Sequence, residues 1–357
     1  MNEPVRAVLR GAKPYATADV GAAVDLSDNT SLWGPPPAAV DALRALDASA
    51  FARYPAIPPA ELYRALADYA GVSTDMIVAG CGSDDLIDGA MRTFAEPGST
   101  IAFSTPTFSM VPAFAAINGL RAHAVPFRTD LDLDIDRLLE PRPSIVYLCS
   151  PNNPTASAAP LATIERVLDE TPGVVILDEA YGEFTAAPGF GLLARHPRLV
   201  VLRTLSKAFG LAGLRIGYAV LDAALVPALE TVRGPYKVNA AAVAAATAAL
   251  TAGRDWVQAR AAEAAGIRVR LAERLAAVGF SPLPSAANFL CVPCANAAAV
   301  AARVRDRGFA LRVLRDLPPI TPALAASRGA ALRIAVGPWP VMARLLDELE
   351  PEAAACA

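Results

Sequence analysis

Lysine is scarce in this chain. Three lysines, at positions 13, 207 and 237, stand among 32 Lys+Arg in 357 residues. Nearly all positive charge is therefore arginine. Arginine replaces lysine as a solvated charge, but its guanidinium is not a usable amine nucleophile. A lysine kept inside Ser206-Lys207-Ala208-Phe209-Gly210-Leu211-Ala212-Gly213, an apolar and glycine-rich stretch, points to amine chemistry. Histidine is scarcer still. His123 and His196 belong to no visible ligand cluster, which speaks against metal hydrolysis and histidine-based triads. Cysteines number five, an odd count in a large chain, so a disulfide framework is not expected. Cys291-Val292-Pro293-Cys294 reads as strand or loop packing rather than a redox or metal pair. No apolar run reaches the roughly 18 residues that a bilayer requires. The opening Met1-Asn2-Glu3-Pro4-Val5-Arg6 lacks the basic-then-apolar pattern of a secretory leader, so a cytoplasmic location is expected. A net charge of −3 without a basic stripe points away from nucleic acid and anionic membrane.

What is present describes a globular protein with ample core: 54% hydrophobic and 19% charged residues. The length predicts roughly two domains of about 150 residues each. From about residue 76 to 251, short β-rich runs alternate with helical ones. Strands are expected at 76–79, 100–104, 121–126, 144–149, 174–178, 199–204 and 217–220. Helices are expected at 59–70, 84–94, 108–117, 160–169, 222–232 and 238–251. This alternation predicts an α/β domain with a mostly parallel seven-stranded sheet covered on both faces. We expect it to span 41–252. A smaller α/β domain is expected from 1–40 and 253–357, with a long helix at 255–278, a strand at 288–292, a helix at 296–307, strands at 309–314 and 331–336, and a closing helix at 338–349. In such sheets ligands bind beyond the carboxyl ends of the strands. The chemically suggestive residues fall there.

Asp178 ends the apolar run Val174-Val175-Ile176-Leu177. A carboxylate at the end of a buried strand is costly unless a cation pairs with it, although a helix cap explains a strand-end aspartate equally well. Tyr181 follows three residues on, as a phenolic donor or a core tyrosine. Ser150-Pro151-Asn152-Asn153-Pro154-Thr155 is a turn signal that could present the Asn153 amide. Gly80-Cys81-Gly82-Ser83-Asp84-Asp85 lies between a strand and a helix, where glycines and free N–H groups accept an anion. Ser206 and Arg215 could add a hydroxyl and a guanidinium there. Phe108 offers a flat face for stacking. Together these residues match what pyridoxal phosphate needs: an amine for its aldehyde, an acid for its ring nitrogen, donors for its phenolate oxygen, a phosphate cup and a stacking partner.

The order Gly-x-Gly-Ser-Asp, Pro-Thr-aromatic, Pro-Asn-Asn-Pro-Thr, Asp-Glu-Ala-Tyr and Thr204-Leu-Ser-Lys-Ala-Phe-Gly-Leu-Ala-Gly-Leu-Arg-Ile-Gly resembles the fold-type I pyridoxal-phosphate aminotransferases across essentially the whole chain, and among them histidinol-phosphate aminotransferases. The resemblance implies the aspartate-aminotransferase-like fold and a homodimer. It implies Lys207, Asp178 and Tyr181 as catalytic residues, with Gly82, Ser83, Asp84, Phe108, Asn153, Thr204, Ser206 and Arg215 holding the cofactor. Tyr54 would reach the phosphate of the neighbouring subunit. Tyr15, Asn29, Asn153, Arg312 and Arg333 would meet the substrate. The implied reaction converts histidinol phosphate and 2-oxoglutarate to imidazole-acetol phosphate and glutamate. An aromatic amino-acid aminotransferase and a same-fold decarboxylase, such as a threonine-phosphate decarboxylase, are the alternatives. The segment Asp28-Asn29-Thr30-Ser31-Leu32-Trp33-Gly34 departs from the usual Asn-Glu-Asn-Pro, with Thr30 in place of the glutamate and Leu32 in place of the proline. Phe108 stands where tyrosine is common.

Overall fold

The computed structural model describes residues 5–10, 21–185 and 189–356. Among the described residues twelve strands run in chain order: β1 (Val24–Asp25), β2 (Ile77–Gly80), β3 (Thr100–Thr105), β4 (Arg121–Pro126), β5 (Ile145–Cys149), β6 (Val174–Asp178), β7 (Leu199–Thr204), β8 (Gly217–Leu221), β9 (Phe289–Pro293), β10 (Phe309–Ala310), β11 (Arg312–Leu314) and β12 (Ala331–Ala335). Seven of them form one sheet in the order β2-β8-β7-β6-β5-β3-β4. The central strands β5, β6 and β7 are nearly unbroken aliphatic runs and are buried along almost their whole length, as strands covered on both faces must be. At the edge, β4 is mostly exposed.

Pairs β3/β4, β3/β5, β5/β6 and β6/β7 are parallel, whereas β8 runs antiparallel to both β7 and β2. The connection explains the exception. A parallel neighbour needs a crossover helix, but residues 205–216 hold only the short 3-10 turn Ala212–Leu214. The chain therefore returns beside β7, and Lys207 rides on this return. Thr204 and Gly80 both lie opposite Gly217 in register. The helix Gly82–Phe94, which follows β2, thus begins beside the end of β7.

The second layer contains the antiparallel sheet β11-β12-β9 and the parallel pair β1-β10. The expected strand at 309–314 is two strands. Phe309–Ala310 pairs with β1 and Arg312–Leu314 with β12, so the chain changes partner at Leu311. Helix Pro37–Arg44 crosses the expected boundary at 40/41 and packs against helix Ala240–Leu250. That helix buries Ala242, Ala245, Ala246, Ala249 and Leu250, one stripe at helical spacing, and Asn239 caps it by accepting from the Ala242 N–H at 2.8 Å. Small side chains let the neighbouring helices come close.

The cysteine expectation needs correction. Cys294 and Cys356 form a disulfide across 62 residues. The terminal turn Ala353–Cys356 folds back to the end of β9, a proximity that spacing along the chain does not display. Cys291 is free and buried, as packing predicts. Among the described residues no cluster could hold a metal ion, and no helix is long and apolar enough to cross a membrane.

Candidate active site

The carboxyl ends of β5, β6 and β7 open into a cavity of about 630 Å³. Its lining brings together Ser83, Asp84, Phe108, Asn153, Asp178, Tyr181, Thr204, Ser206, Lys207, Arg215, Asn29, Arg312 and Arg333. Every site residue expected from the sequence lies here except Gly82, Tyr54 and Tyr15. Gly82 sits next to Ser83 at the start of its helix. Tyr54 is 79% exposed and stacks on Tyr236, with ring centroids 4.2 Å apart. Tyr15 lies outside the described residues.

Asp178 is 3% exposed. Its Oδ2 accepts from the Tyr147 hydroxyl at 2.6 Å and its Oδ1 from the Ala180 N–H at 3.0 Å. Among the described residues no cation pairs with it, and burial pushes its pKa up to about 6 despite both donors. The neighbouring Glu179 points behind the sheet, where Arg203 grips it through Nε at 2.9 Å and Nη2 at 2.7 Å.

Lys207 is set apart from Lys237. Lys237 pairs with Asp85 at 3.4 Å, whereas the Lys207 Nζ donates to the Asp28 carbonyl at 2.8 Å. Burial, with the Arg333 charge second, lowers the Lys207 pKa to about 8. The free amine is then more accessible near neutral pH than for an ordinary lysine.

One end of the cavity suits a phosphate. Gly82 adopts φ +80, and a Cβ there would meet the Arg215 guanidinium at 2.7 Å. Gly217 lies so close beneath the helix that a Cβ would meet the Ser83 nitrogen at 2.5 Å. The two glycines keep the helix terminus bare, and its first-turn residues Ser83 and Asp84 line the cavity, where free N–H groups suit an anion. Thr204 Oγ1 donates to Ser206 Oγ at 3.0 Å, which orients a hydroxyl at the same end. The Arg215 Nη2 lies 3.4 Å from Asp84 Oδ2. Asp84 carries a pKa raised by burial, against the opposing pull of Arg215 and Lys207.

Two arginines also line the cavity. Arg312 and Arg333 are register partners in β11 and β12. Arg333 donates through Nη1 to Asn153 Oδ1 at 2.7 Å and through Nη2 to the Ser27 carbonyl at 2.6 Å. Because Asn153 accepts through its oxygen, its amide N–H₂ is left to donate into the cavity. Asn152, by contrast, is spent on the turn: Nδ2 donates to the Pro106 carbonyl at 3.0 Å and to Thr155 Oγ1 at 2.8 Å, and Oδ1 accepts from Thr107 at 3.0 Å.

Sequence reasoning missed Tyr147, Ser27, Asp28, Met110 and Phe114. Tyr147, in the run Ile145-Val146-Tyr147-Leu148-Cys149, was detectable in principle. A hydroxyl within an otherwise aliphatic buried strand needs a partner, and Asp178 on the adjacent strand supplies it. The others act through backbone atoms or common apolar groups and carry no distinctive pattern.

The residues present fit pyridoxal phosphate on grounds internal to this fold. Among the described residues a buried carboxylate lacks a cation, a half-buried amine has a lowered pKa, and a glycine-bared helix terminus lines the same cavity as two guanidiniums. Comparison with known proteins agrees. The family model for aminotransferase class I and II matches residues 22–347. An aromatic amino acid aminotransferase of Rhodococcus jostii (strain RHA1) is 40% identical over 303 residues, covering 82% of this chain and 84% of its own length. A histidinol-phosphate aminotransferase of Nocardia farcinica (strain IFM 10152) is 40% identical over 305 residues, covering 80% and 78%. The solved histidinol-phosphate aminotransferase of Sinorhizobium meliloti in complex with pyridoxal-5'-phosphate superposes with a TM-score of 0.86 at 29% identity, covering 98% of this chain and 97% of that one.

Proposed function

From the premise that this chain belongs to the class I and II aminotransferase family, we propose that it is a pyridoxal-phosphate-dependent transaminase acting on histidinol phosphate with 2-oxoglutarate as acceptor. The observation that carries the substrate is the pair Arg312 and Arg333, side by side on β11 and β12 and lining the same cavity as Lys207. Among the described residues Arg312 makes no ion pair. Two guanidiniums suit a dianionic phosphate monoester better than a single carboxylate.

When bound, the cofactor supplies an aldehyde and an electron-withdrawing ring that makes the substrate Cα–H acidic. The chain's own groups do the rest. The Lys207 Nζ, with its lowered pKa, supplies the amine and then takes and returns the proton at the substrate Cα. Asp178 holds a positive ring N–H in a place where its own charge is otherwise unmatched. Tyr181 and Asn153 donate to the ring oxygen, and Phe108 covers the ring. Ser83, Thr204, Ser206, Arg215 and the helix terminus at Gly82 hold the phosphate. Asn29 lines the cavity on the substrate side. In this reading 41–252 forms the larger unit, on which helix Pro37–Arg44 packs, and 1–40 with 253–357 the smaller. The protein is a homodimer in which the exposed Tyr54 enters the partner's site. We place it in the cytoplasm.

The aromatic reading stands beside this one, because the relative from Rhodococcus jostii is as similar as the histidinol-phosphate relative and Arg333 alone could hold a carboxylate. Steady-state kinetics with 2-oxoglutarate and either histidinol phosphate, phenylalanine or tyrosine separates them. The proposal expects kcat/KM to be highest for histidinol phosphate. A higher value for phenylalanine or tyrosine overturns the substrate and leaves the transaminase.

A further inference from the structure

We propose that Asn29 is a positioning residue that turns the Tyr181 hydroxyl proton into the cavity. The Asn29 Nδ2 donates to the Tyr181 hydroxyl oxygen at 3.1 Å. A phenol has one proton, so an oxygen that receives an N–H must aim its own O–H elsewhere. Among the described residues no acceptor takes that proton, and Tyr181 lines the cavity. Burial pushes its pKa up to about 12, so the group is a donor at physiological pH.

The amide is built to stay where it is. Asn29 is 1% exposed and adopts φ 60, a left-handed conformation that asparagine tolerates better than most residues. The Asn288 Nδ2 donates to its carbonyl at 3.1 Å. The carbonyls just before it are held as well, Ser27 by Arg333 and Asp28 by Lys207. The Tyr181 ring stands edge-on to Phe289, with centroids 5.1 Å apart, which fixes the other partner. Asn29 acts through Tyr181. Its expected place among the substrate contacts is not needed for this role.

The inference rests on the pyridoxal-phosphate reading, and its test keeps the two apart. A donor aimed at the ring oxygen favours the deprotonated chromophore and lowers the pH midpoint of the bound cofactor's visible colour change. Holoenzyme is titrated spectrophotometrically as wild type, Tyr181→Phe, Asn29→Gly and the double variant. Glycine keeps the positive φ at no strain. Tyr181→Phe should raise the midpoint by about one unit, since a hydrogen bond to a charged group is worth about that much. Asn29→Gly should recover at least half of that rise, and the double variant should go no further than Tyr181→Phe. Asn29→Asp, of the same shape but an acceptor only, should capture the proton and raise the midpoint at least as far as Asn29→Gly. A wild-type midpoint in Asn29→Gly or Asn29→Asp at normal cofactor content overturns the inference, as does an additive double variant. A wild type that binds no cofactor sinks the functional reading instead. The cofactor-free protein then decides the inference: the Tyr181 ¹³Cζ resonance, assigned by its loss in Tyr181→Phe, moves in Asn29→Gly if the amide is on the phenol, and an unmoved resonance overturns it.

Discussion

Asp178 and Glu179 are adjacent, both buried, and chemically alike, yet they belong to two regions treated in opposite ways. Behind the sheet, Glu179 is gripped by two nitrogens of Arg203 and by the Gly189 N–H at 2.9 Å, while Glu183 takes the third guanidinium nitrogen at 3.1 Å and the Phe190 ring lies 4.7 Å from the guanidinium carbon. The chain itself supplies the partners there. On the cavity side, among the described residues, Asp178 has donors but no cation, Lys207 has a carbonyl but no carboxylate partner within ion-pair distance, and Arg312 lines the cavity without an ion pair. Buried charge is tolerated in a fold when its partner is present. The difference between the regions marks where a partner is supplied from outside, and it identifies the cavity as a site without reference to any motif.

The sharpest way to break this contrast is to remove the amine. Lys207→Ala should abolish turnover, since Lys237 is engaged by Asp85 and lies outside the cavity lining. Any residual rate above that of free cofactor would contradict it.

Next comes the carboxylate pair itself. Asp178→Asn should cut kcat by orders of magnitude and yet stabilise the cofactor-free protein. The sign follows from the raised pKa. An acid whose folded pKa lies near 6 rather than 3.8 destabilises the fold above pH 6, and that cost disappears as pH falls toward 4. A shift of about two units corresponds to roughly 3 kcal/mol at most. Chemical denaturation at pH 7.5 and pH 4 should show the gain at the first and not at the second. Burial raises the Glu179 pKa as well, but Glu179→Gln should cost about 3 kcal/mol, because it leaves the buried Arg203 without its partner. If both substitutions destabilise equally at pH 7.5, the contrast is wrong.

The arginine pair gives smaller effects. Arg312→Gln or Arg333→Gln should raise KM for histidinol phosphate about ten- to a hundredfold, the range of a lost charge-assisted hydrogen bond. Initial-rate measurements check this, and an unchanged KM would move the phosphate elsewhere. Smallest is Tyr54→Phe, which should weaken cofactor retention about two- to tenfold through one neutral contact. Equilibrium dialysis reads it, with sedimentation to confirm the dimer.

The cofactor side was more legible in the sequence than the substrate side, for a physical reason. β4, β6 and β7 occupy the expected residues 121–126, 174–178 and 199–204; for β6 and β7 a continuous aliphatic run ending in a polar residue leaves little choice of boundary. Asp178 and Lys207 stand out because their chemistry is improbable where they sit. The segment at 309–314 reads as one strand in sequence, since nothing in Leu311 announces a change of partner. Ser27 and Asp28 contribute carbonyls, which every residue has. The role of Asn29 depends on a contact 152 positions away, and the Cys294–Cys356 bridge on a chain end folding back. Contacts between distant segments carry no local pattern.

The most direct measurement of the central claim is borohydride reduction of the purified holoenzyme followed by peptide mass mapping. The account predicts a yellow protein that loses its colour on reduction and carries one pyridoxyl group per chain, on Lys207. A label on Lys13 or Lys237, or a colourless protein that takes up no pyridoxal phosphate, would contradict it.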